Sequence, residues 1–97
     1  QGKPAIHLLP SEPLKSAAHV FSFGAEKYGE WNWRDDVSTT KFSRTYSSIQ
    51  RHLMSWWDGE DTDPESGFSH IDHALTQLMI LRVQMEKAQN MDDRYAE

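Results

Sequence analysis

The sequence predicts an all-α fold: a small bundle of three main helices, completed by oligomerisation. Three long segments repeat apolar residues at intervals of three or four, and no segment shows the alternation typical of a strand. The 97 residues suffice for a single helical domain, over residues 1–97, and are too few for two. A domain this small buries only about 60% of its unfolded surface, so self-association is expected.

The composition excludes several classes of protein. There is no cysteine, which rules out disulfide scaffolds, thiolate zinc sites and cysteine nucleophiles. The net charge of −5 argues against a general binder of nucleic-acid backbones. No apolar run approaches the roughly 18 residues that a membrane helix needs. We therefore expect a cytoplasmic protein with neither a nucleic acid nor a membrane as partner.

The first predicted helix follows an N-terminal arm. Three prolines among the first 13 residues predict an extended arm over residues 1–12. Ser11 is expected to cap the helix, and Gly29 to end it. Phe23 falls opposite the apolar stripe of this helix, where it is either a lone exposed aromatic or a contact between subunits. The stripe consists of Leu14, Ala17, Ala18, Phe21, Ala25 and Tyr28.

Two further helices are predicted, from about Thr40 to Asp58 and from about Phe68 to Ala88, before a frayed polar tail over residues 89–97. Their stripes are Phe42, Tyr46, Ile49, Leu53, Trp56 and Trp57 in the second helix, and Ile71, Ala74, Leu75, Leu78, Leu81 and Met85 in the third.

The segment from Glu30 to Thr40 is predicted to be a loop that contains two tryptophans. Such residues are unusual in a polar loop. Trp31 and Trp33 therefore either fold back on the core or offer flat faces to a ligand ring.

Three histidines border the stripes of the second and third helices. His52 lies about two turns before Glu60, while His70 and His73 are three residues apart and share a helix face. Gln77 lies on the same border. If the two stripes pack together, the three imidazoles and the acidic loop between the helices converge at one end of the bundle.

The acidic loop allows two interpretations. It holds four acids within six positions, Glu60, Asp61, Asp63 and Glu65. In one interpretation the acids cap the third helix, and the histidines are ordinary boundary residues. In the other, carboxylates and imidazoles bind a divalent cation: carboxylates suit Mg²⁺ or Mn²⁺, and imidazoles widen the choice. The pattern is not that of a zinc finger, an EF-hand, a metalloprotease helix or a phosphate-binding loop.

Two runs of residues resemble a known family. They are Phe23-Gly24-Ala25-x-Lys27-Tyr28-Gly29-x-x-Asn32-Trp33 and Arg51-His52-x-x-x-Trp56-x-x-Gly59-Glu60-Asp61-x-Asp63-Pro64-Glu65-Ser66-Gly67-x-x-His70-x-x-His73-Ala74. Lys3-Pro4 and Leu9-Pro10 add to the likeness. Over about Lys3 to Leu81 the sequence resembles the phage dATP/dGTP diphosphohydrolase domain, which is grouped with the MazG-like all-α nucleoside triphosphate pyrophosphatases.

The resemblance implies a function and a set of partners. A homo-oligomer, dimeric or tetrameric, would use Mg²⁺ (or Mn²⁺) to hydrolyse a purine (deoxy)nucleoside triphosphate, dATP or dGTP, to monophosphate and pyrophosphate. Such proteins shape the nucleotide pool during phage infection, in the host cytoplasm. MazG-type enzymes carry their metal-binding acids as ExxE and ExxD on two helices, where this chain carries histidines. A protein that sequesters a nucleotide without hydrolysing it is the alternative.

The resulting expected site has three groups of residues. The catalytic group is Glu60, Asp61 and His52, and the metal ligands are Glu60, Asp61, Asp63, His70 and His73. The substrate-binding group is Lys27, Tyr28, Asn32, Trp33 and Arg51. Lys27 and Arg51 are expected to contact phosphate, in their own or a partner subunit, or else to be solvated. Trp33 or Trp31 would stack on the purine, and Asn32 would read its edge. An acidic protein needs a cation to hold a triphosphate.

Overall fold

The computed structural model describes residues 2–96. These residues contain four α-helices and two short 3-10 helices. Gln1 and Glu97, the ends of the predicted arm and tail, lie outside the described residues. The α-helices are α1 (Ser11–Tyr28), α2 (Asn32–Thr39), α3 (Phe42–Trp57) and α4 (His70–Lys87), and the 3-10 helices are Ile6–Leu8 and Gln89–Met91. Residues 2–96 contain no strand, and the all-α prediction is confirmed.

Helix α4 is the centre of the fold. It packs most extensively against α3 and also contacts α1 and α2. The α3–α4 pair is antiparallel: His52 faces His70 at one end, and at the other the Gln84 side-chain amide donates to the Thr40 carbonyl over 2.7 Å. Because neighbours surround α4 on several sides, apolar residues spread around much of its circumference.

The prediction of a loop from Glu30 to Thr40 is wrong, because most of this segment forms α2. This helix has eight residues, and Val37 is its one buried residue, so it is too short for a 3.6-residue period to show. The two tryptophans have different surroundings. Trp33 is half-buried with its ring edge against Phe21, at 5.7 Å between centroids, whereas Trp31 is 60% exposed.

Both ends of the chain are more structured than expected. A 3-10 helix at Ile6–Leu8 interrupts the predicted extended arm, and Ser11 is the first residue of α1 rather than its cap. In the predicted frayed tail, the Asp93 carboxylate accepts hydrogen bonds from the backbone N–H of Ser43, over 2.9 Å, and from the Ser43 hydroxyl. The tail therefore provides the hydrogen-bond acceptor for the first turn of α3, because the N-cap residue Lys41 makes no side-chain cap bond.

The buried core is small, and much of each predicted stripe stays exposed. The buried apolar residues are Ala17, Val37, Phe42, Ile49, Ala74 and Ala88. Large apolar side chains that remain exposed include Tyr46, Trp57, Leu78 and Met85. Phe23 is half-buried against Phe68, at 5.3 Å between ring centroids, so it packs within the subunit. None of the helices in residues 2–96 has the length and apolar character needed to cross a membrane.

Candidate functional site

The loop between α3 and α4 is folded by its own backbone. The Asp63 N–H donates to the Phe68 carbonyl over 2.8 Å, and the His70 N–H donates to the Asp61 carbonyl over 3.0 Å. The turn between them passes through Gly67, whose φ of +78° favours glycine. These bonds hold the acidic residues beside the first turn of α4.

The acids of this loop do not supply the side-chain cap of α4. The Ser69 hydroxyl does so, accepting a hydrogen bond from the Ile71 N–H over 3.1 Å. The Asp63 carboxylate instead accepts from the Glu65 N–H within the loop, over 2.8 Å. The prediction that the acids of this loop cap the helix is therefore wrong, because Ser69 is the cap.

The three imidazoles meet where α3 and α4 pack. The Nδ1 atoms of His52 and His70 are 2.8 Å apart, and the rings of His52 and His73 stack at 4.6 Å with 7° between their planes. His52, Asp63 and His70 each offer one ligand atom, and these atoms lie within 4.8 Å of one another. We call these three residues the His–Asp cluster; its donors are compatible with a divalent metal ion.

The Glu60 carboxylate contacts the His70 ring at the nitrogen that points away from His52. The Nε2 atom of His70 lies 2.7 Å from Oε1 of Glu60, and because a carboxylate only accepts, Nε2 carries the proton. Nδ1 of His70 is then the acceptor in the 2.8 Å hydrogen bond with His52, whose Nδ1 carries the proton. Metal-binding histidines generally donate their second N–H in this way, so the surroundings of His70 fit a metal ligand.

His73 lies at the edge of the cluster. Its Nε2 atom is 2.7 Å from the Ser66 hydroxyl and 3.9 Å from Oδ2 of Asp63. The ring edge of Phe68 covers it, with 6.1 Å between centroids. His73 thus links the cluster to the α1 side of the molecule.

The electrostatics of the site favour the neutral forms of His52 and His73 and the ionised form of Asp63. Burial lowers the pKa of His52, and repulsion from His73 and His70 lowers it further. Burial also lowers the pKa of His73, although Asp63 opposes this. The Glu65 N–H lowers the pKa of Asp63 by stabilising its charged form. Neutral imidazole and ionised carboxylate are the forms that bind metal.

The predicted site residues divide between this cluster and its surroundings. Of the predicted metal ligands, Asp63 and His70 face each other, with His73 beside them. His52, predicted to be catalytic, supplies the third donor. Glu60 contacts the cluster through His70, and the Asp61 side chain is exposed while its backbone anchors His70.

Most of the predicted substrate-binding residues line a cavity beside His73. This cavity, of about 270 Å³, lies between α1, α2 and α4, and Tyr28, Asn32 and Trp33 line it together with His73. We call it the base cavity, after the role predicted for these residues from the sequence. Lys27 is not among its lining residues: its ammonium lies 5.0 Å from the centroid of the Phe23 ring.

Arg51 lines a second cavity, of about 300 Å³, between α2, α3 and α4. Arg44 lines it as well, and sequence reasoning missed this residue although it precedes Arg51 by two helical turns. We call this space the arginine cavity. It adjoins the base cavity, because Asp36, Gln77 and Ile80 line both.

Fold and site together define a small all-helical domain with a His–Asp cluster beside two adjoining cavities. Residues 1–94 match the family described as dATP/dGTP diphosphohydrolase, N-terminal, and the chain belongs to that family. This confirms the resemblance seen in the sequence. A dATP/dGTP diphosphohydrolase of Salmonella phage PMBT28 is 30% identical over 94 residues. The alignment covers 97% of this chain and 31% of that relative. No solved structure matches the chain.

Proposed function

We propose that this domain takes part in metal-dependent hydrolysis of a purine (deoxy)nucleoside triphosphate, dATP or dGTP, to monophosphate and pyrophosphate. The observation that carries the proposal is the His–Asp cluster, which lies next to a cavity lined by Tyr28, Asn32 and Trp33. The family and the name of the phage relative support the choice of substrate. During phage infection, the reaction would change the nucleotide pool of the host cytoplasm.

The chain's own residues fit a divalent cation. His52, Asp63 and His70 would hold it, with His73 at the edge. A bound divalent ion neutralises phosphate oxygens and makes a coordinated water more acidic. Two imidazoles and one carboxylate favour Mn²⁺ over Mg²⁺, because Mg²⁺ prefers carboxylates and water while imidazole suits transition metals.

The carboxylates at the loop would have different roles. Glu60 would fix the orientation and the tautomer of His70, which makes it a positioning residue rather than a ligand. Asp61 keeps its proposed catalytic role, since its exposed carboxylate is accessible to water and substrate. In this role it would accept a proton from the attacking water.

The base cavity would hold the purine, with the phosphates directed past His73 toward the His–Asp cluster. In the base cavity Tyr28 and Trp33 would contact the purine and Asn32 its edge, although the Arg34 guanidinium already lies 4.3 Å from the centroid of a Trp33 ring. Arg51 and Arg44 line the arginine cavity, which no residue of the His–Asp cluster lines, so they would contact phosphate in the active site of a partner subunit. Lys27 would serve the active site of a partner subunit.

Product analysis after incubation with a nucleotide panel and Mn²⁺ or Mg²⁺ tests the proposal. Formation of monophosphate and pyrophosphate in equal amounts is the expected result. The alternative function, sequestration, predicts that a purine nucleotide is retained intact. Recovery of an unbound, intact nucleotide under all these conditions would contradict both.

A further inference from the structure

We infer that Asp36 selects the base, favouring guanine over adenine. The inference rests on the proposed function, which places a purine in the base cavity. Asp36 belongs to α2 and lines this cavity and the arginine cavity, on the boundary where α2 faces Gln77 and Ile80 of α4. Its carboxylate is therefore a charged acceptor on the boundary wall of the base cavity.

The contact between Asp36 and Asn32 determines which polar groups this wall presents. The Asn32 side-chain amide donates to Oδ2 of Asp36 over 3.3 Å. Because the N–H₂ group of Asn32 is turned toward the carboxylate, its carbonyl oxygen is turned away from it. An ionised carboxylate accepts several hydrogen bonds and donates none, so Asp36 retains acceptor capacity after this contact.

The helix dipole does not favour an acid at this position, although the i, i+4 bond from Asn32 supports it. Asp36 is the fifth of eight residues in α2, and its backbone carbonyl accepts the hydrogen bond from Thr40 that ends the helix. A negative charge toward the C-terminal end of a helix opposes the helix dipole. Among residues 2–96, no cationic side chain lies within 4.0 Å of the Asp36 carboxylate.

A carboxylate at this wall distinguishes the two purines. Guanine has two adjacent donors, the N1–H and the N2 amino group, which one carboxylate can accept together as charge-assisted bonds. Adenine has an acceptor at N1 and no amino group at C2, so it leaves the carboxylate unpaired and opposite a lone pair. A site that pairs these donors discriminates against an analogue that lacks them, and because Asp36 is exposed to water the discrimination should be moderate.

Equilibrium binding of nucleoside monophosphates tests the inference without metal or catalysis. Quenching of tryptophan fluorescence in EDTA would give the dissociation constants of dGMP, dAMP and dIMP. Hypoxanthine, the base of dIMP, retains N1–H and lacks the amino group. For the wild type we expect dGMP to bind about tenfold tighter than dAMP or more, with dIMP between them.

The matched variants are Asp36→Asn and Asp35→Asn. Asp35 is the adjacent exposed acid on α2 and is not among the residues that line either cavity. Asp36→Asn should bring the two dissociation constants to within about twofold, whereas Asp35→Asn should keep the wild-type preference. Circular dichroism of both variants checks that α2 remains folded.

The outcomes separate this inference from the proposed function. Equal binding of dGMP and dAMP by the wild type, an unchanged preference in Asp36→Asn, or no binding of any monophosphate would overturn the inference. If dGTP is hydrolysed while Asp36→Asn keeps the preference, the base assignment fails and the proposed function stands. If the preference depends on Asp36 and nothing is hydrolysed, the base assignment stands without the chemistry.

Discussion

At the scale of single residues, the site depends on how each ring nitrogen of His70 is used. His70 is only 4% exposed, with Glu60 on one ring nitrogen and His52 opposite the other. A buried imidazole that is fixed in this way is oriented before any ligand arrives, which lowers the entropic cost of binding.

The Glu60–His70 contact makes a prediction for melting curves with and without Mn²⁺. Metal binding should stabilise the wild type by about 2.7 kcal/mol at a hundredfold excess over its dissociation constant. Glu60→Gln should reduce this rise in melting temperature, because a neutral amide holds the imidazole less strongly. Asp61→Asn should keep the rise and lose hydrolysis.

Glu65→Gln is the matched control for these melting curves. Glu65 is an exposed acid of the same loop, and its backbone N–H, which the substitution keeps, is the group that contacts Asp63. The control should respond to Mn²⁺ like the wild type. A wild-type melting temperature that does not change at millimolar Mn²⁺ would count against the metal centre.

The lowered pKa values of His52 and His73 predict how the stability of the metal-free protein depends on pH. Both lie below the ordinary value of 6.5, so the unfolded chain binds protons first as the pH falls. The free energy of unfolding should therefore decrease between about pH 7 and pH 5. Asp63 loses its own contribution at more acidic pH, below its ordinary 3.8.

Denaturant melts in EDTA at several pH values would measure this dependence. The double variant His52→Asn/His73→Asn should flatten the curve above pH 5, whatever its absolute stability. A wild-type free energy of unfolding that stays constant or rises on acidification would show that the imidazoles are not held neutral.

Sequence reasoning found the histidines because helical projection fixes the face on which a residue lies. Helical projection could not predict that Glu60, Asp61 and Asp63 make different contacts. Those depend on the backbone hydrogen bonds of the loop, such as that from the His70 N–H to the Asp61 carbonyl, which have no periodic signature. The position of Asp36 beside both cavities was also missed, because its segment was predicted to be a loop and not a helix.

At the scale of elements, sequence periodicity predicted the long helices and missed the short one. Helices α3 and α4 lie within the predicted ranges, because 16 and 18 residues repeat a period several times. Helix α2 has little more than two turns, and its position depends on tertiary contacts. One such contact is the bond from the buried Gln84 side chain to Thr40.

The start of α3 offers a test of a contact that is distant in sequence. The N-cap position, Lys41, provides no side-chain acceptor, and the Asp93 carboxylate takes that role by binding Ser43. Asp93→Ala should lower the melting temperature. Asp92→Ala, which removes the pair between Asp92 and Arg94, should change it less, because exposed ion pairs contribute little.

Thermal melts followed by circular dichroism would compare these two variants. Ser43→Ala should have part of the effect of Asp93→Ala, since the backbone N–H of residue 43 would still bind the carboxylate. Equal melting temperatures for Asp93→Ala and the wild type would mean that the tail does not stabilise α3.

At the scale of the whole molecule, the exposed apolar surface predicts a homo-oligomer. Ile71, Leu78 and Met85 recur every seven residues along α4 and are all exposed, as is Trp57 on α3. An exposed apolar stripe of this kind is suited to contact with another subunit. Light scattering at micromolar concentration should therefore report a dimer or a larger assembly.

Charged substitutions would locate the subunit contact. Leu78→Glu should shift the protein toward the monomer, whereas Leu8→Glu, at an exposed position outside α4, should not. A monodisperse wild-type monomer would remove the support for sites shared between subunits, including the role proposed for Lys27.

The rate of dGTP hydrolysis as a function of Mn²⁺ concentration, for the wild type and His70→Ala, tests the central claim most directly. We predict saturable activation of the wild type by Mn²⁺, no activity in EDTA, and loss of activity in His70→Ala at every Mn²⁺ concentration. Equal hydrolysis by His70→Ala and the wild type, or hydrolysis that persists in EDTA, would contradict the assignment of the His–Asp cluster as a catalytic metal centre.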